Sequence, residues 1–223
     1  MRLSRLLPAA RLAFLLMVMS PGVAFAQGWI EFTSRADAFG VNFPGEPQVR
    51  ETTYTSEYEA VFPARVYTRD SGSSRYSVTV VDYTDAERIH EARAKDCPPD
   101  AHTGCTGAPY TGIGSWIVDV RGAIDHAAWQ FLQRDARPTF FGWSFVDLVE
   151  GRHLQLSNPD RSRTFVAIYM HENRLYILEA TVPPGLPEPG LFQQSLQFLD
   201  ADGKGIRYES IYVNGFPPPR RVR

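Results

Sequence analysis

The residues of this 223-residue chain with chemistry to offer are five histidines, two cysteines, a few Gly-flanked serines and one Asp/Gly run. A metal-hydrolase helix carries His-Glu-x-x-His, which sets two ligands one turn apart with a glutamate beside them. Here His90-Glu91 is followed by Ala94 and His171-Glu172 by Leu175, so each pair lacks its second histidine. His102, His126 and His153 are scattered, and all five read as surface histidines rather than as a metal site. Gly142-Trp143-Ser144 matches half of the Gly-x-Ser-x-Gly turn that exposes a nucleophile. It lies in an alternating segment with Trp143 and Phe145 pointing away from Ser144, as an ordinary strand serine would. Gly112-x-Gly114-Ser115 opens a helix whose N-terminus could hold an anion, but the remaining glycine spacing of a dinucleotide fingerprint is missing. Ser115 reads as a helix cap. Asp200-x-Asp202-Gly-Lys204-Gly205 starts like a calcium loop, then puts a lysine at position five and Ile211 at position twelve. A tight turn uses the same residues, and calcium at Asp200 and Asp202 stays a third functional possibility. These motifs assign no catalytic residue, cofactor or metal ligand set.

Cys97 and Cys105 are the two cysteines, and their meaning depends on compartment. Arg2, Arg5 and Arg11 precede the apolar run Leu12 to Met19; Pro21-Gly22 break it, and Ala24-Phe25-Ala26 offers a cleavage site. That is the pattern of an export signal over residues 1–26, with a mature start at Gln27 and a periplasmic or secreted address. The run is too short to cross a hydrocarbon core of about 30 Å. In an oxidising compartment the isolated pair reads as a disulfide, against the alternative of two unpaired thiols. It would close a nine-residue Pro/Gly-rich loop from Cys97 to Cys105, an effect worth about 2.5 kcal/mol. Cleavage removes three arginines, leaving 20 basic residues against 25 acidic, a net charge of −5. A mildly anionic chain without a basic cluster is a poor match for nucleic acid or an anionic membrane surface.

The elements that must position these residues follow from periodicity. Short strands are expected at Trp29 to Phe32 and Phe39 to Phe43, stopped by Pro44-Gly45-Glu46-Pro47. Longer strands follow at 48–57, 61–69 and 75–83. Thr84-Asp85-Ala86-Glu87 has the form of a capping box and opens a helix to about Lys95. Ile117, Val120, Ile124, Ala128 and Phe131 recur at helical spacing from Ser115 to about Arg134. Strands return at 139–149, 152–156, 162–171 and 174–182. Phe165 to Met170 is apolar on both alternating sets, so that strand must be covered on both faces. A last helix is expected at 188–199 and a last strand at 206–213. The expected fold class is α+β: a largely antiparallel curved sheet with helices on both faces, an α/β/α sandwich. One domain spans 27–215, and Phe216 to Arg223 forms a Pro/Arg-rich flexible tail.

Trp29-x-x-Phe32 with Phe39-x-Val41-x-Phe43-Pro44-x-x-Pro47 near the start, and Phe192-x-x-Ser195-Leu196-x-Phe198 near the end, resemble secreted bacterial domains of the Mog1/PsbP group. The resemblance spans about Trp29 to Val213 and implies an α/β/α sandwich. Relatives in that group bind other proteins, a small GTPase or a photosynthetic complex, and the matching positions are packing residues that transfer no functional role. The expectation is an exported, non-catalytic domain that binds an envelope protein or a small molecule. The rival is an envelope enzyme, such as a hydrolase, whose residues converge from distant strands.

Overall fold

The computed structural model describes residues 28–98 and 114–222. Residues 1–26, read from the sequence as an export signal, and Cys105 lie outside them. Seven strands form the main sheet: β3 (Gln48–Thr55), β4 (Val61–Ser71), β5 (Ser74–Asp82), β6 (Arg137–Val146), β7 (Val149–Ser157), β8 (Arg163–His171) and β9 (Arg174–Val182). Their order across the sheet is β3-β4-β5-β9-β8-β7-β6, every pair antiparallel. Two meanders thus meet where β5 pairs with β9, Val78 opposite Leu178. The doubly apolar sequences of β8 and β9 fall in the interior of the sheet, and from Thr164 to His171 every residue of β8 is buried.

Each face of the sheet has its own core. On one, α1 (Ala86–Lys95) and α2 (Ser115–Leu132) pack over Phe62, Leu154, Leu156, Val166, Ile168 and Ile177. Helix α2 supplies Val120, Ala123, Ala127, Ala128 and Phe131, and its three alanines let the backbone approach the sheet. On the other face lies a three-stranded sheet, β1 (Ile30–Ser34), β2 (Phe39–Phe43) and β10 (Gln197–Phe198), with the one-turn helix α3 (Gly190–Gln193). Phe39, Phe43, Phe192 and Phe198 are fully buried there against Tyr76, Tyr169, Tyr176 and Leu178. At about 2–3 kcal/mol per buried ring, these four anchors suffice to hold short strands that share few backbone bonds.

Antiparallel sheets therefore dominate as expected, but the two long helices share one face. The expected helix at 188–199 stops after one turn. Ser195 donates its hydroxyl to the Phe192 carbonyl at 3.0 Å and accepts the Asn42 amide at 2.8 Å, after which Gln197-Phe198 pairs with β2. The last expected strand is reduced to β11 (Arg207–Tyr208), paired with β12 (Arg221–Val222). This pairing, with ion pairs Arg220–Glu209 and Arg221–Glu172, ties down the described part of the segment expected to be a flexible tail. The β6–β7 turn also differs. It lies at Asp147-Leu148, both at positive φ (47° and 65°), instead of in the gap between the expected strands 139–149 and 152–156. Gly151 is needed within β7, because a Cβ there would sit 2.3 Å from the Ile168 carbonyl oxygen and from the Tyr169 ring.

Candidate functional site

Four polar residues meet beneath the helix layer. His90 Nε2 is 2.8 Å from Asp119 Oδ2, which also accepts the Ser56 hydroxyl at 2.5 Å, and Ser115 Oγ lies 3.4 Å from His90 Nδ1. Serine, imidazole and carboxylate in that order form the arrangement of an acyl-transfer triad. The surroundings make it a structural tie. His90 is 5% exposed and packed between the rings of Phe62 and Tyr58. Its contact with Ser115 is long for a hydroxyl bond, and Asp119 is shared with Ser56 in the β3–β4 turn. One carboxylate thus joins α1, α2 and the sheet. The capping roles read from the sequence are not made: Gly114 stands at the N-cap of α2 and Ser115 turns to His90. At α1, Thr84 bonds Asp82 through its hydroxyl and amide, and no side chain caps the helix.

Two histidines read as surface residues are buried, His90 and His171. His171 stacks on Phe198 with ring centroids 4.4 Å apart and has Nε2 2.8 Å from the Tyr208 hydroxyl. Burial first, then the nearby Arg221 and Arg174, lower its pKa to about 3, so it stays neutral. His153 is likewise lowered by burial, with Nε2 3.0 Å from the Tyr169 hydroxyl. His126 is on the exposed side of α2, within 2.9 Å of the Gln130 amide, and His102 lies outside the described residues.

Ser144 is 3.0 Å from the same Tyr169 hydroxyl, within strand β6 and away from any nucleophile turn. Asp200 Oδ1 accepts the amides of Asp202 (3.0 Å) and Lys204 (2.8 Å), so its carboxylate closes a turn. Among the described residues no group of three or more His, Cys, Asp or Glu side chains is arranged to hold a metal ion. Cys97 sits just past the end of α1, and Cys105 lies outside the described residues.

Sequence reasoning missed Asp37. In the β1–β2 turn it is buried, pairs with Arg65 at 2.6 Å and accepts the Tyr67 hydroxyl, while its carbonyl accepts Tyr176 at 2.8 Å. Burial, then the bond to Asp37, pushes Tyr67 up to about 12. The cluster pins the small sheet to the large one. A shallow cavity of about 150 Å³ beside it is lined by Asp37, Glu51, Arg65 and Asp82.

The feature facing solvent is strand β6. It is one edge of the seven-stranded sheet, and from Pro138 to Val146 it carries no charged residue. Phe140, Phe141, Trp143 and Phe145 are 48%, 52%, 68% and 45% exposed. Register places Phe141 opposite Leu154 and Trp143 opposite Arg152, so Phe141, Trp143 and Phe145 share the face on which α2 lies. The Arg152 guanidinium stacks on Trp143 at 4.8 Å and is held by Asp125 of α2 at 3.1 Å and Glu150 at 3.2 Å. One helical turn beyond Asp125, Trp129 is 58% exposed. The indole of Trp143 is therefore braced from below and bare above. A braced aromatic side chain beside others is the form of a protein-binding hot spot, because little rotamer entropy remains to be lost. The sequence signal was the uncharged run with four aromatics; what could not be read was that this strand is an edge.

No family model and no curated protein matches the chain. Among solved structures it is similar to the solution structure of cyanobacterial PsbP (CyanoP) from Synechocystis sp. PCC 6803, with TM-score 0.42 and 13% identity over 79% of this chain and 95% of that one. Among the described residues no helix is long and apolar enough to cross a membrane.

Proposed function

We propose that this chain is an exported, non-catalytic protein-binding domain of the cell envelope, and that strand β6 with Trp129 is its binding surface. The observation that carries the reading is the uncharged aromatic edge, with Trp143 braced by Arg152 yet 68% exposed. Exposed contiguous apolar patches on this scale mark interaction sites. An unpaired strand edge adds a row of backbone donors and acceptors to which a partner strand can bond. The reading includes removal of residues 1–26, a single domain over 27–215, and a Cys97–Cys105 bridge. Thiol alkylation before and after reduction tests the bridge: equal labelling in both states refutes it.

Crosslinked capture from the native envelope tests the function. The mature protein is expected to recover a stoichiometric protein that the Trp143→Lys, Phe145→Lys variant loses, with the two melting temperatures matching. Recovery of the same protein by both would remove β6 as the binding surface.

A further inference from the structure

The two edges of the main sheet are built differently. Edge β3 is mostly polar and carries Arg50 and Glu51, charges that discourage strand addition. Edge β6 carries none between Pro138 and Val146. Resting on the reading of β6 as a binding surface, we infer that its occupant is a second copy of this chain. The two β6 strands pair antiparallel about a two-fold axis at Gly142.

The backbone sets which registers are possible. Val146 and Val149 close a two-residue hairpin, so Phe140, Gly142, Ser144 and Val146 direct their amides and carbonyls toward β7. Phe141, Trp143 and Phe145 direct theirs outward. A self-pairing must therefore place odd-numbered residues opposite odd-numbered ones. With Gly142 on the axis, Phe141 lies opposite Trp143 of the second copy, an aromatic cross-strand pair made twice. The same register brings Arg137 to the level of Asp147 of the second copy at both ends, across the bulge near Thr139. Moving the axis to Phe141 or Trp143 loses that charge match. Arg137 has no ion pair among the described residues, and Asp147 has a distant one, 3.6 Å from Arg207.

The area is also adequate. Trp129, Phe140, Phe141, Trp143 and Phe145 are each about half exposed. With about 150–250 Å² per aromatic side chain, the two copies offer roughly 1,000 Å² between them before any backbone is counted. That is the lower limit for a specific interface and corresponds to a reversible dimer. The pairing also gives partners to the outward amides of β6, an edge strand among the described residues.

Sedimentation equilibrium of the mature protein over a wide concentration range tests the pairing. A monomer–dimer equilibrium with a dissociation constant of order micromolar is expected. Trp143→Lys should weaken it roughly thirtyfold or more. Arg137→Asp should weaken it about tenfold by setting like charges opposite, and adding Asp147→Arg should restore it. Melting temperatures guard against misfolded variants. A wild-type protein that stays monomeric throughout overturns the inference, as does a dimer indifferent to all three variants. If the protein is monomeric but the Trp143→Lys, Phe145→Lys variant still loses its captured envelope protein, the binding surface stands and only its occupant is wrong.

Discussion

At the scale of single residues, burial decides what each polar group can do. His171 stacks on Phe198 and hydrogen-bonds the Tyr208 hydroxyl where a charged imidazole would lose its water, and two arginines stand near it. Its pKa in the folded chain is about 3, against an ordinary 6.5 once unfolded. Below pH 6.5 the unfolded chain therefore takes up a proton that the folded chain refuses. Stability from this residue is complete above pH 6.5 and is lost as the pH falls from 6.5 toward 3, by at most about 1.4 kcal/mol per pH unit. His153, lowered in the same direction, adds to the loss. Urea denaturation between pH 7 and pH 4 should show this decline, and His171→Phe should flatten much of it. An unchanged slope in the variant would mean that other groups set the acid sensitivity. Neither His90 nor His171 could be read as buried from sequence, because each lies in a polar-looking His-Glu dipeptide whose neighbours in space come from distant strands.

At the scale of elements, one glycine carries a sharp test. Gly151 lies inside β7 with the Ile168 carbonyl and the Tyr169 ring where its Cβ would be. Gly151→Ala must push apart two paired strands of the buried sheet, so a loss of about 3 kcal/mol is expected by denaturant titration. A loss under about 0.5 kcal/mol would contradict the close approach. The same residue falls in the gap expected between strands 139–149 and 152–156, while the actual turn uses Asp147 and Leu148. Strand order is similarly hidden, since pairing of β5 with β9 joins segments about a hundred residues apart. Patterns requiring only local periodicity were legible. The apolar stripe of α2 was one, as were the doubly apolar sets of β8 and β9 that put them in the sheet interior. The last helix failed because its pattern suits one helical turn and a short strand equally well. Ser195, bonded to Asn42 across the chain, favours the second.

At the scale of the whole molecule, the two cores and the bare edge divide the work. Helices cover one face and a small aromatic sheet the other, so the main sheet is sealed on both sides and open only at its ends. The polar clusters at Asp119 and Asp37 fasten the layers together. The exposed aromatic edge is β6, proposed above as the binding strand, whose aromatic character was in the sequence but whose edge position came only from the fold. Amide hydrogen exchange at Phe141, Trp143 and Phe145 tests this account most directly. These outward amides should exchange rapidly in dilute protein and slow by roughly tenfold or more when β6 is occupied, by a second copy at high concentration or by a captured partner. Edge β3 should not change. Exchange at the three β6 amides that stays fast under every one of these conditions would contradict β6 as the binding strand.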